Sequence, residues 1–568
     1  MTAYSKQSRE SGGVSRMPPW AATAVHGLVL LSLAALSAVT LTFYMPRTVS
    51  SYDEGLILFG AARVLEGDLP YRDFWTMYAP GAYFAPALLF AAFGESVLVL
   101  RAFDIATKSL IALASFQVIA KLGSRWFGLA GTIGVLVLLI LLPSPGFPIF
   151  QALAASLAAV LALQRAIETP GDRGAAFAAG VAVGAALLFR QDLGVYAFVV
   201  CSAWLAWLGR APRAGTDVQG RLGGLLAPFA AGTALLVLPV AGMLAFKIPA
   251  ADIYQNLVYL PLEVYPQVRS LPFPTASKLL GQLRAHDIEA ALASVAVYAP
   301  ALVVLAGLAI QVRRAARRQP RGDEALTRDP VIWLLLALTA MYCLKGLVRV
   351  EPLHMLPALT LAVILTVAMA GRAVPPLNSM ERHPFAATAL ILGKASLLLG
   401  AVALFATLWP TLHKLMRDGF QSSSFAAQCR NAQTPHLRCF TLDPIRAEVL
   451  DEVLRRTGPH DTIYVGTGRH DKLFVNNVEL YFFAARRSAT KWHDLHPGVQ
   501  TTAGVQREMI AEMSADPPAL VVLSSEWDDA QEPNASRYSS GVHLLDDYLR
   551  SDYRPVARIK HWTLLEPR

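Results

Sequence analysis

The sequence predicts a multi-pass α-helical membrane protein of about eleven transmembrane helices, followed by a small extracytoplasmic α/β domain. Hydrophobic residues make up 54% of its 568 residues and charged residues only 16%, whereas soluble domains carry about 25% charged residues. Apolar runs of membrane-spanning length recur up to residue 409. Beyond residue 440, short strand-like and helix-like segments alternate, which is typical of an α/β domain.

The first apolar run, 21–43, is long enough to cross roughly 30 Å of hydrocarbon at about 1.5 Å per residue. It is longer than the apolar core of a cleaved signal peptide, so it is predicted to be a retained first helix. Residues 1–20 then form an N-terminal tail. The further spans are predicted at 101–120, 126–142, 149–164, 175–189, 193–208, 223–246, 288–310, 331–344, 352–370 and 386–409.

The distribution of basic residues orients these spans. With a cytoplasmic N-terminus, the inside connectors carry 18 Lys and Arg in about 79 residues, and the outside connectors carry 10 in about 97. The Arg-rich stretch 311–323 is the strongest single cytoplasmic anchor. The transmembrane module therefore covers 21–409 of a cell membrane protein, in a bacterial inner membrane, with everything after Trp409 outside the cytoplasm.

One apolar segment is too short to be counted as a span. Residues 82–93 begin beside Pro80 and Gly81 and extend for only a dozen positions, which predicts a re-entrant or interfacial helix in a first extracytoplasmic loop, 44–100. A full span here would place the basic connectors on the wrong side of the membrane.

The C-terminal region changes composition. After a linker at 410–439, the runs 462–468 and 519–525 are short and β-rich, and 443–458 has helical spacing with Gly458 as its stop. These segments predict a small α/β domain over 440–568. The turn at 466–477 lacks the glycine spacing of a nucleotide site, so it is interpreted as a strand-end turn.

Several classes of protein are disfavoured by what the sequence contains. The net charge of +9 lies largely in short connectors, which fits membrane topology better than nucleic-acid binding. The sequence has no zinc-type Cys/His spacing and no phosphate-binding glycine loop, and no metal or cofactor is predicted. Cys201 and Cys343 lie in apolar runs, whereas Cys429 and Cys439 lie in a polar stretch and can pair in an oxidising compartment.

The predicted topology collects the membrane-proximal polar side chains on the extracytoplasmic side, where ionisable groups usually mark a pathway or a site. A carboxylate there can take the proton from an acceptor hydroxyl that attacks an anomeric carbon. Arginine and histidine can neutralise a phosphate that leaves on a lipid. The candidate residues are Asp53, Glu54, Arg72, Asp73, Tyr78, Arg190, Gln191, Asp192, Arg349, Glu351 and His354.

Each candidate also has a purely structural interpretation. Asp53 can cap a helix that starts at Glu54, and one carboxylate can both cap and catalyse. The sequence Arg190-Gln191-Asp192 can be a polar turn whose charges neutralise each other. Arg349 and His354 can extend to the membrane interface as snorkelling side chains. The tyrosines and Trp75 of the first loop can be interface anchors or sugar platforms.

The first loop resembles that of a known group of enzymes. The acidic pair after the first span, the segment EGDLPYRDF, and Tyr-Ala-Pro-Gly before a helix ending in FGES together resemble the membrane-embedded GT-C glycosyltransferases. The similarity lies with the family 39-like group, which includes protein O-mannosyltransferases and the lipid A aminoarabinose transferase, and with bacterial lipopolysaccharide-core transferases. It covers the layout of most of 21–370 and is sharpest over 52–94.

This resemblance implies a polyprenyl-phosphate-sugar donor, an inverting transfer to a lipid, glycan or protein acceptor, and an active site on the extracytoplasmic face. It implies that Asp53 is the catalytic base or acceptor-positioning residue and that Glu54 fills the second place of the motif. The stretch RVEPLHMLP resembles the entry to a span near the donor phosphate, which places Arg349 and His354 there.

The sequence departs from its relatives at two positions. Many members of this group have Lys-Pro-Pro where this chain has Tyr78-Ala79-Pro80, and Arg72 and Arg190 are the candidates to replace that basic contact. The loop 143–148 lacks the second aspartate of several relatives, and Asp192 is the candidate substitute.

Two other classes of function are compatible with a multi-pass membrane protein that carries polar residues on one side. A transporter or flippase of lipid-linked saccharides would pair charges near mid-membrane and show inverted repeats. A non-catalytic scaffold with an envelope-binding C-terminal domain would tolerate the loss of Asp53.

Overall fold

The computed structural model describes residues 19–51, 53–210, 224–316, 323–373, 429 and 432–568. Up to residue 373 these residues are almost entirely helical. The helices are α1 (Pro19–Phe43), α2 (Asp53–Leu65), α3 (Gly81–Phe93), α4 (Val97–Leu122), α5 (Arg125–Leu141), α6 (Ile149–Glu168), α7 (Arg173–Phe189), α8 (Gln191–Arg210), α9 (Leu226–Lys247), α10 (Ala250–Tyr254), a π-helix (Gln255–Val264), α11 (Tyr265–Arg269), α12 (Ala276–Arg284), α13 (Ile288–Ala296), α14 (Ala299–Ala316), α15 (Asp323–Gly346) and α16 (Pro352–Ala373).

Ten of the eleven predicted spans fall on these helices, and 386–409 lies outside the described residues. Within the residues that the structure describes, five helices are long and apolar enough to cross a membrane, and the pair α13–α14, bent by 42°, would make a sixth. The five are Thr23–Phe43, Ile149–Glu168, Gln191–Gly209, Leu226–Lys247 and Pro352–Arg372. The chain is therefore a multi-pass membrane protein, while the count of eleven spans stays a prediction.

The segment predicted to be interfacial does form a short helix, α3, of 13 residues. Gly94 ends it with φ +87°, a left-handed conformation that glycine adopts without penalty. Ser96 then caps α4 by accepting a hydrogen bond from the Val99 N–H. Leu88 and Phe93 on α3 are largely exposed, at 72% and 73%, as expected of a helix that contacts lipid. Its depth in the bilayer stays a prediction.

Small residues let helices α7 and α9 pack with their backbones in contact. A Cβ atom on Gly180 would stand 1.9 Å from the Phe229 carbonyl oxygen, and one on Gly232 would stand 2.1 Å from the Phe177 carbonyl oxygen. Thr233 Oγ donates to the Gly180 carbonyl at 3.0 Å across the same contact. Close approach through glycine with an interhelical hydrogen bond is how membrane helices associate without a hydrophobic driving force.

The C-terminal region contains the small α/β domain that the sequence predicts. The strands are β1 (Thr462–Thr467), β2 (Arg487–Ser488), β3 (Leu520–Ser524), β4 (Tyr553–Ile559) and β5 (Trp562–Pro567). Its single described sheet has the order β2-β1-β3-β5-β4, with β1 parallel to β2 and β3, and β5 antiparallel to β3 and β4. The helices are α17 (Pro444–Arg456), α18 (Glu479–Ala484), α19 (Ala503–Ala515) and α20 (Leu544–Asp552), with 3₁₀ turns at Pro435–Leu437 and Ala535–Arg537.

This domain packs tightly on the first loop of the membrane module. The Phe59 and Tyr481 rings stack with centroids 4.7 Å apart, and the Phe90 and Phe482 rings stack at 5.8 Å. A Cβ atom on Gly55 would lie 2.9 Å from the Glu479 backbone nitrogen. The two parts of the chain therefore share one hydrophobic core, which fixes loops of the C-terminal domain over α2.

A disulfide joins Cys429 to Cys439 at the start of the domain. These are the two cysteines that the sequence places in a polar stretch. The buried Cys201 and the half-buried Cys343 are free thiols, as their apolar surroundings predict.

Candidate active site

The Asp53 carboxylate stands at the N-terminus of α2 and accepts a hydrogen bond from the Tyr78 hydroxyl. Burial raises the pKa of Asp53 above its usual value, while the Tyr78 hydrogen bond and the charge of Arg190 oppose that rise. Both sequence-predicted residues therefore meet, although 25 positions separate them. A carboxylate with a raised pKa, held in a fixed orientation, is suited to accept a proton.

Arg190 lies between two aromatic rings beside this pair. Its guanidinium carbon is 5.3 Å from the centroid of Tyr78 and 5.2 Å from that of Phe147. Arg190 Nε donates to Asp192 Oδ1 at 3.2 Å. Its Nη1 is buried and has no hydrogen-bond partner among the described residues. An arginine so held keeps a donor available for an anion.

Two further groups complete the surroundings of Arg190. The Lys345 ammonium is 3.6 Å from Asp192 Oδ2, and its side chain is 5% exposed. Gln191 Nε2 donates to the Met77 carbonyl at 2.9 Å, which ties the start of α8 to the first loop. Sequence reasoning missed Lys345; its position in the last turn of a span on the polar side was the available signal.

Glu351 and His354 lie at the start of α16, on the other side of Phe147 from Arg190. His354 Nδ1 lies 2.6 Å from Glu351 Oε1, and the His354 and Phe147 rings are 6.0 Å apart. Burial raises the pKa of Glu351, but contacts with His354 and Arg349 outweigh it and hold that pKa at about 2. Phe147 thus lies between the α16 entry and Arg190, so one aromatic ring links the two groups of predicted residues.

Arg349 is turned toward the C-terminal domain. Its Nη1 donates to Glu532 Oε2 at 3.0 Å and to the Arg269 carbonyl at 3.1 Å, and its Nε donates to Glu351 Oε1 at 3.1 Å. Arg269 Nη1 also lies 3.2 Å from Glu532. The guanidinium is saturated by these protein groups, and Glu532 was not predicted from the sequence.

Glu54 points away from Asp53, because consecutive residues on a helix project about 100° apart. Its side chain is fully buried and paired with Arg101, which is 1% exposed. Arg101 Nη2 donates to Glu54 Oε2 at 2.9 Å, as does the Ser50 N–H at 2.9 Å. No described contact brings Glu54 to Tyr78 or Arg190.

Arg72 and Asp73 pair with each other rather than with Asp53. Arg72 Nε donates to Asp73 Oδ1 at 2.9 Å, and Asp73 Oδ2 accepts from the Leu69 N–H at 2.8 Å. The Arg72 side chain is 44% exposed. Among the described residues this pair has no bond to the Asp53 and Arg190 group.

A second carboxylate, that of Asp494, belongs to a loop of the C-terminal domain that packs on the first loop of the membrane module. Asp494 is half-buried and makes no hydrogen bond or ion pair among the described residues. Burial and the charge of Asp53 raise the pKa of Asp494 to about 7. Nothing in the local sequence marks this residue, because its electrostatic interaction with Asp53 depends on how the two parts of the chain dock.

Metal-ligand spacing occurs elsewhere in the described part of the chain. Ligand atoms of Asp471, His543 and Asp546 lie within 4.8 Å of one another in the C-terminal domain. Arg469 already pairs with Asp471 there, with Nε 2.7 Å from Oδ1. The group around Asp53 contains no such set of three among the described residues.

The fold was compared with known structures. It matches the apo crystal structure of ArnT from Cupriavidus metallidurans, with a TM-score of 0.53 and 15% sequence identity. The match covers 95% of this chain and 98% of the ArnT chain. The apo oligosaccharyltransferase of Archaeoglobus fulgidus matches over 89% of this chain and 72% of that one, with a TM-score of 0.50 and 12% identity. The chain has the GT-C fold.

The GT-C fold agrees with the resemblance of the first loop, while the sequence itself carries little of the likeness. No family model matches the chain. No curated protein sequence matches it either. At 12–15% identity the shared fold is the finding, and the chemistry must be argued from the residues of this chain.

Proposed function

We propose that this chain is an integral-membrane glycosyltransferase that moves a sugar from a polyprenyl-phosphate-linked donor to an acceptor of the cell envelope. The site faces the extracytoplasmic side of a bacterial inner membrane, with the N-terminus in the cytoplasm. The observation that carries the proposal is the Asp53 carboxylate, held by Tyr78 beside Arg190, whose buried Nη1 has no hydrogen-bond partner among the described residues. On the GT-C fold, ArnT has been crystallised bound to undecaprenyl phosphate.

Asp53 is the catalytic base of this reaction. Its carboxylate takes the proton of an acceptor hydroxyl while that oxygen attacks the anomeric carbon of the donor sugar. The bond from the anomeric carbon to the phosphate oxygen breaks, and its electron pair leaves with the lipid phosphate. A single displacement of this kind inverts the configuration at the anomeric carbon.

Arg190 and Lys345 bind the donor phosphate. Arg190 offers Nη1, and the Lys345 ammonium, 3.6 Å from Asp192, adds a second positive charge in a buried setting. Negative charge on the leaving phosphate is stabilised more strongly there than in water. Asp192 orients both cations, and Gln191 ties the start of α8, next to Arg190, to the first loop.

The remaining predicted residues position this group. Glu54 locks α2 through its buried pair with Arg101, so we assign it a positioning role. Arg72 and Asp73 stabilise the turn of the first loop. Arg349 holds the C-terminal domain through Glu532, while Glu351 and His354 support Phe147 and the α16 entry.

The charge distribution does not favour a flippase. The buried pair of Asp104 and Lys108 on α4 is the strongest candidate for a mid-membrane charge, with the Lys108 ammonium 2.7 Å from Asp104. Lys108 also donates to the Pro143 carbonyl, in the connector whose Phe147 contacts Arg190. This pair therefore lies toward the same end of the helices as Asp53.

The test is incubation of the purified full chain with a panel of polyprenyl-phosphate sugars. Mass spectrometry should detect release of polyprenyl phosphate from one donor, and Asp53→Asn should abolish that release. Asp529→Asn, at an exposed position of the C-terminal domain, is the matched control. Equal release by wild type and Asp53→Asn would contradict the assignment of the base.

A further inference from the structure

The loop 489–496 of the C-terminal domain lies directly on the first loop of the membrane module. The Trp75 N–H donates to the Lys491 carbonyl at 3.0 Å, and Arg63 Nη1 is 3.3 Å from His493 Nδ1. The Trp75 ring packs beside Trp492 and His496, with centroids 6.1 Å apart in both pairs. Contacts on both sides of Asp494 thus fix its position over the Asp53 loop.

Hydrogen bonds from the rest of the C-terminal domain also fix this loop. Asn476 Nδ2 donates to the His493 carbonyl at 2.9 Å and to the Val465 carbonyl at 3.0 Å, which ties the loop to β1. The Lys491 N–H donates to Glu512 Oε2 at 3.1 Å. With its backbone bonded on both faces, the loop presents Asp494 in one orientation.

The charge of Arg269 opposes the rise in the pKa of Asp494, but no described residue is bonded to its carboxylate. Asp494 is half-buried, yet among the described residues it accepts no hydrogen bond and joins no ion pair. Tyr83, whose hydroxyl is 2.6 Å from Thr76 Oγ, is acted on electrostatically by both Asp494 and Asp53. Both carboxylates are therefore close enough to influence the same tyrosine, although they belong to different parts of the chain.

An unpaired, partly buried carboxylate beside a like charge destabilises the folded state. An ordinary surface aspartate would be solvated, and a structural one would be bonded to the loop that carries it. Asp494 is neither, whereas its neighbours Lys491 and His493 are both engaged. Such an arrangement is expected where a ligand supplies the missing hydrogen bonds.

We propose that Asp494 binds the acceptor, so that the C-terminal domain completes the active site. The acceptor is a polyhydroxylated glycan: one hydroxyl gives its proton to Asp53 as it attacks, and a neighbouring hydroxyl donates a hydrogen bond to Asp494. Hydroxyl groups donate hydrogen bonds to carboxylates, and two carboxylates alone are a small ligand set for a metal ion. This inference rests on the proposed glycosyltransferase function.

The experiment compares Asp494→Asn with the exposed control Asp529→Asn in the purified full chain. Donor hydrolysis without acceptor, and transfer to a panel of soluble hexose-, pentose- and heptose-containing oligosaccharides, are measured side by side. Asp494→Asn should raise the acceptor KM about tenfold or more, whereas Asp529→Asn should leave both the acceptor KM and donor hydrolysis within about twofold of wild type. The melting temperature of Asp494→Asn should equal or exceed that of wild type, because an unpaired charge is removed.

The outcomes separate the two levels of the proposal. An acceptor KM equal to that of wild type, or a lowered melting temperature with donor hydrolysis lost in parallel, overturns the role of Asp494 and leaves the glycosyltransferase assignment standing. Transfer that requires an amine or a phosphate acceptor instead of a glycan overturns the acceptor class. Absence of donor hydrolysis in wild type for every donor overturns the proposed function, and the inference falls with it.

Discussion

Arg349 and Glu532 connect the membrane module to the C-terminal domain across 183 positions of sequence, with Nη1 3.0 Å from Oε2. Both side chains are 11% exposed, so the pair is largely desolvated. Breaking a buried pair leaves one charge uncompensated, at a cost of about 3–5 kcal/mol. The contact therefore contributes to the docking that brings the loop of Asp494 onto the first loop of the membrane module.

Glu532→Gln should weaken this docking. We expect a lower melting temperature and reduced transfer, since Arg349 and Arg269 both lose their shared carboxylate. Glu448→Gln, at an exposed position of α17, is the matched control. An unchanged melting temperature and transfer rate in Glu532→Gln would show that the docking does not depend on this pair.

Tyr78→Phe should shift the pH profile of transfer. The Tyr78 hydrogen bond lowers the pKa of Asp53, so its loss raises that pKa, and the base is protonated up to a higher pH. The acid limb of kcat/KM should move to higher pH, with activity near pH 6 reduced about tenfold. The control is Tyr538→Phe, because the Tyr538 ring is exposed, and it should leave the pH profile unchanged. An unchanged pH profile in Tyr78→Phe would indicate that Asp53 is not the base.

Glu54 and Arg101 allow a test that separates positioning from catalysis. Glu54→Gln should destabilise the protein by about 3–5 kcal/mol, because Arg101 remains buried without its partner. The double variant Glu54→Leu with Arg101→Met should recover much of the stability, as apolar replacements of buried pairs do. We expect it to recover transfer as well. A stable but inactive double variant would assign Glu54 to the chemistry.

Arg190→Gln should weaken donor binding. The variant loses the charge-assisted hydrogen bond from Nη1 to the phosphate, worth about 1.5–3 kcal/mol, so the donor KM should rise roughly 10- to 100-fold. Arg165→Gln is the control, since that side chain is 72% exposed at the end of α6. A donor KM that changes equally in both variants would exclude a specific phosphate contact.

Local sequence patterns predicted the helices well, because each apolar run of spanning length must form its backbone hydrogen bonds within itself. They also predicted Asp53 at a helix start and the sheet of the C-terminal domain. The functional pairings were harder. Glu54 pairs with Arg101, which is 47 positions away in the sequence. No periodic pattern of residues in the sequence predicts such a pair.

The same reason explains why Asp494 and Glu532 were missed. Each belongs to a loop of the C-terminal domain and acquires its role only when the shared core around Phe59 and Tyr481 brings that loop to the membrane module. Arg349, predicted to lie near the donor phosphate, instead donates a hydrogen bond to Glu532, because the same docking brings Glu532 to it. Long-range docking, rather than local propensity, decides these contacts.

The central claim is that Asp53 is the catalytic base, and Asp53→Asn tests it most directly. Asparagine keeps the size of the side chain and its ability to cap α2, so folding and donor binding should persist. The account predicts that kcat for transfer falls by about 10²–10⁴, with the melting temperature and donor Kd close to those of wild type. Transfer at the wild-type rate by the folded variant would contradict it.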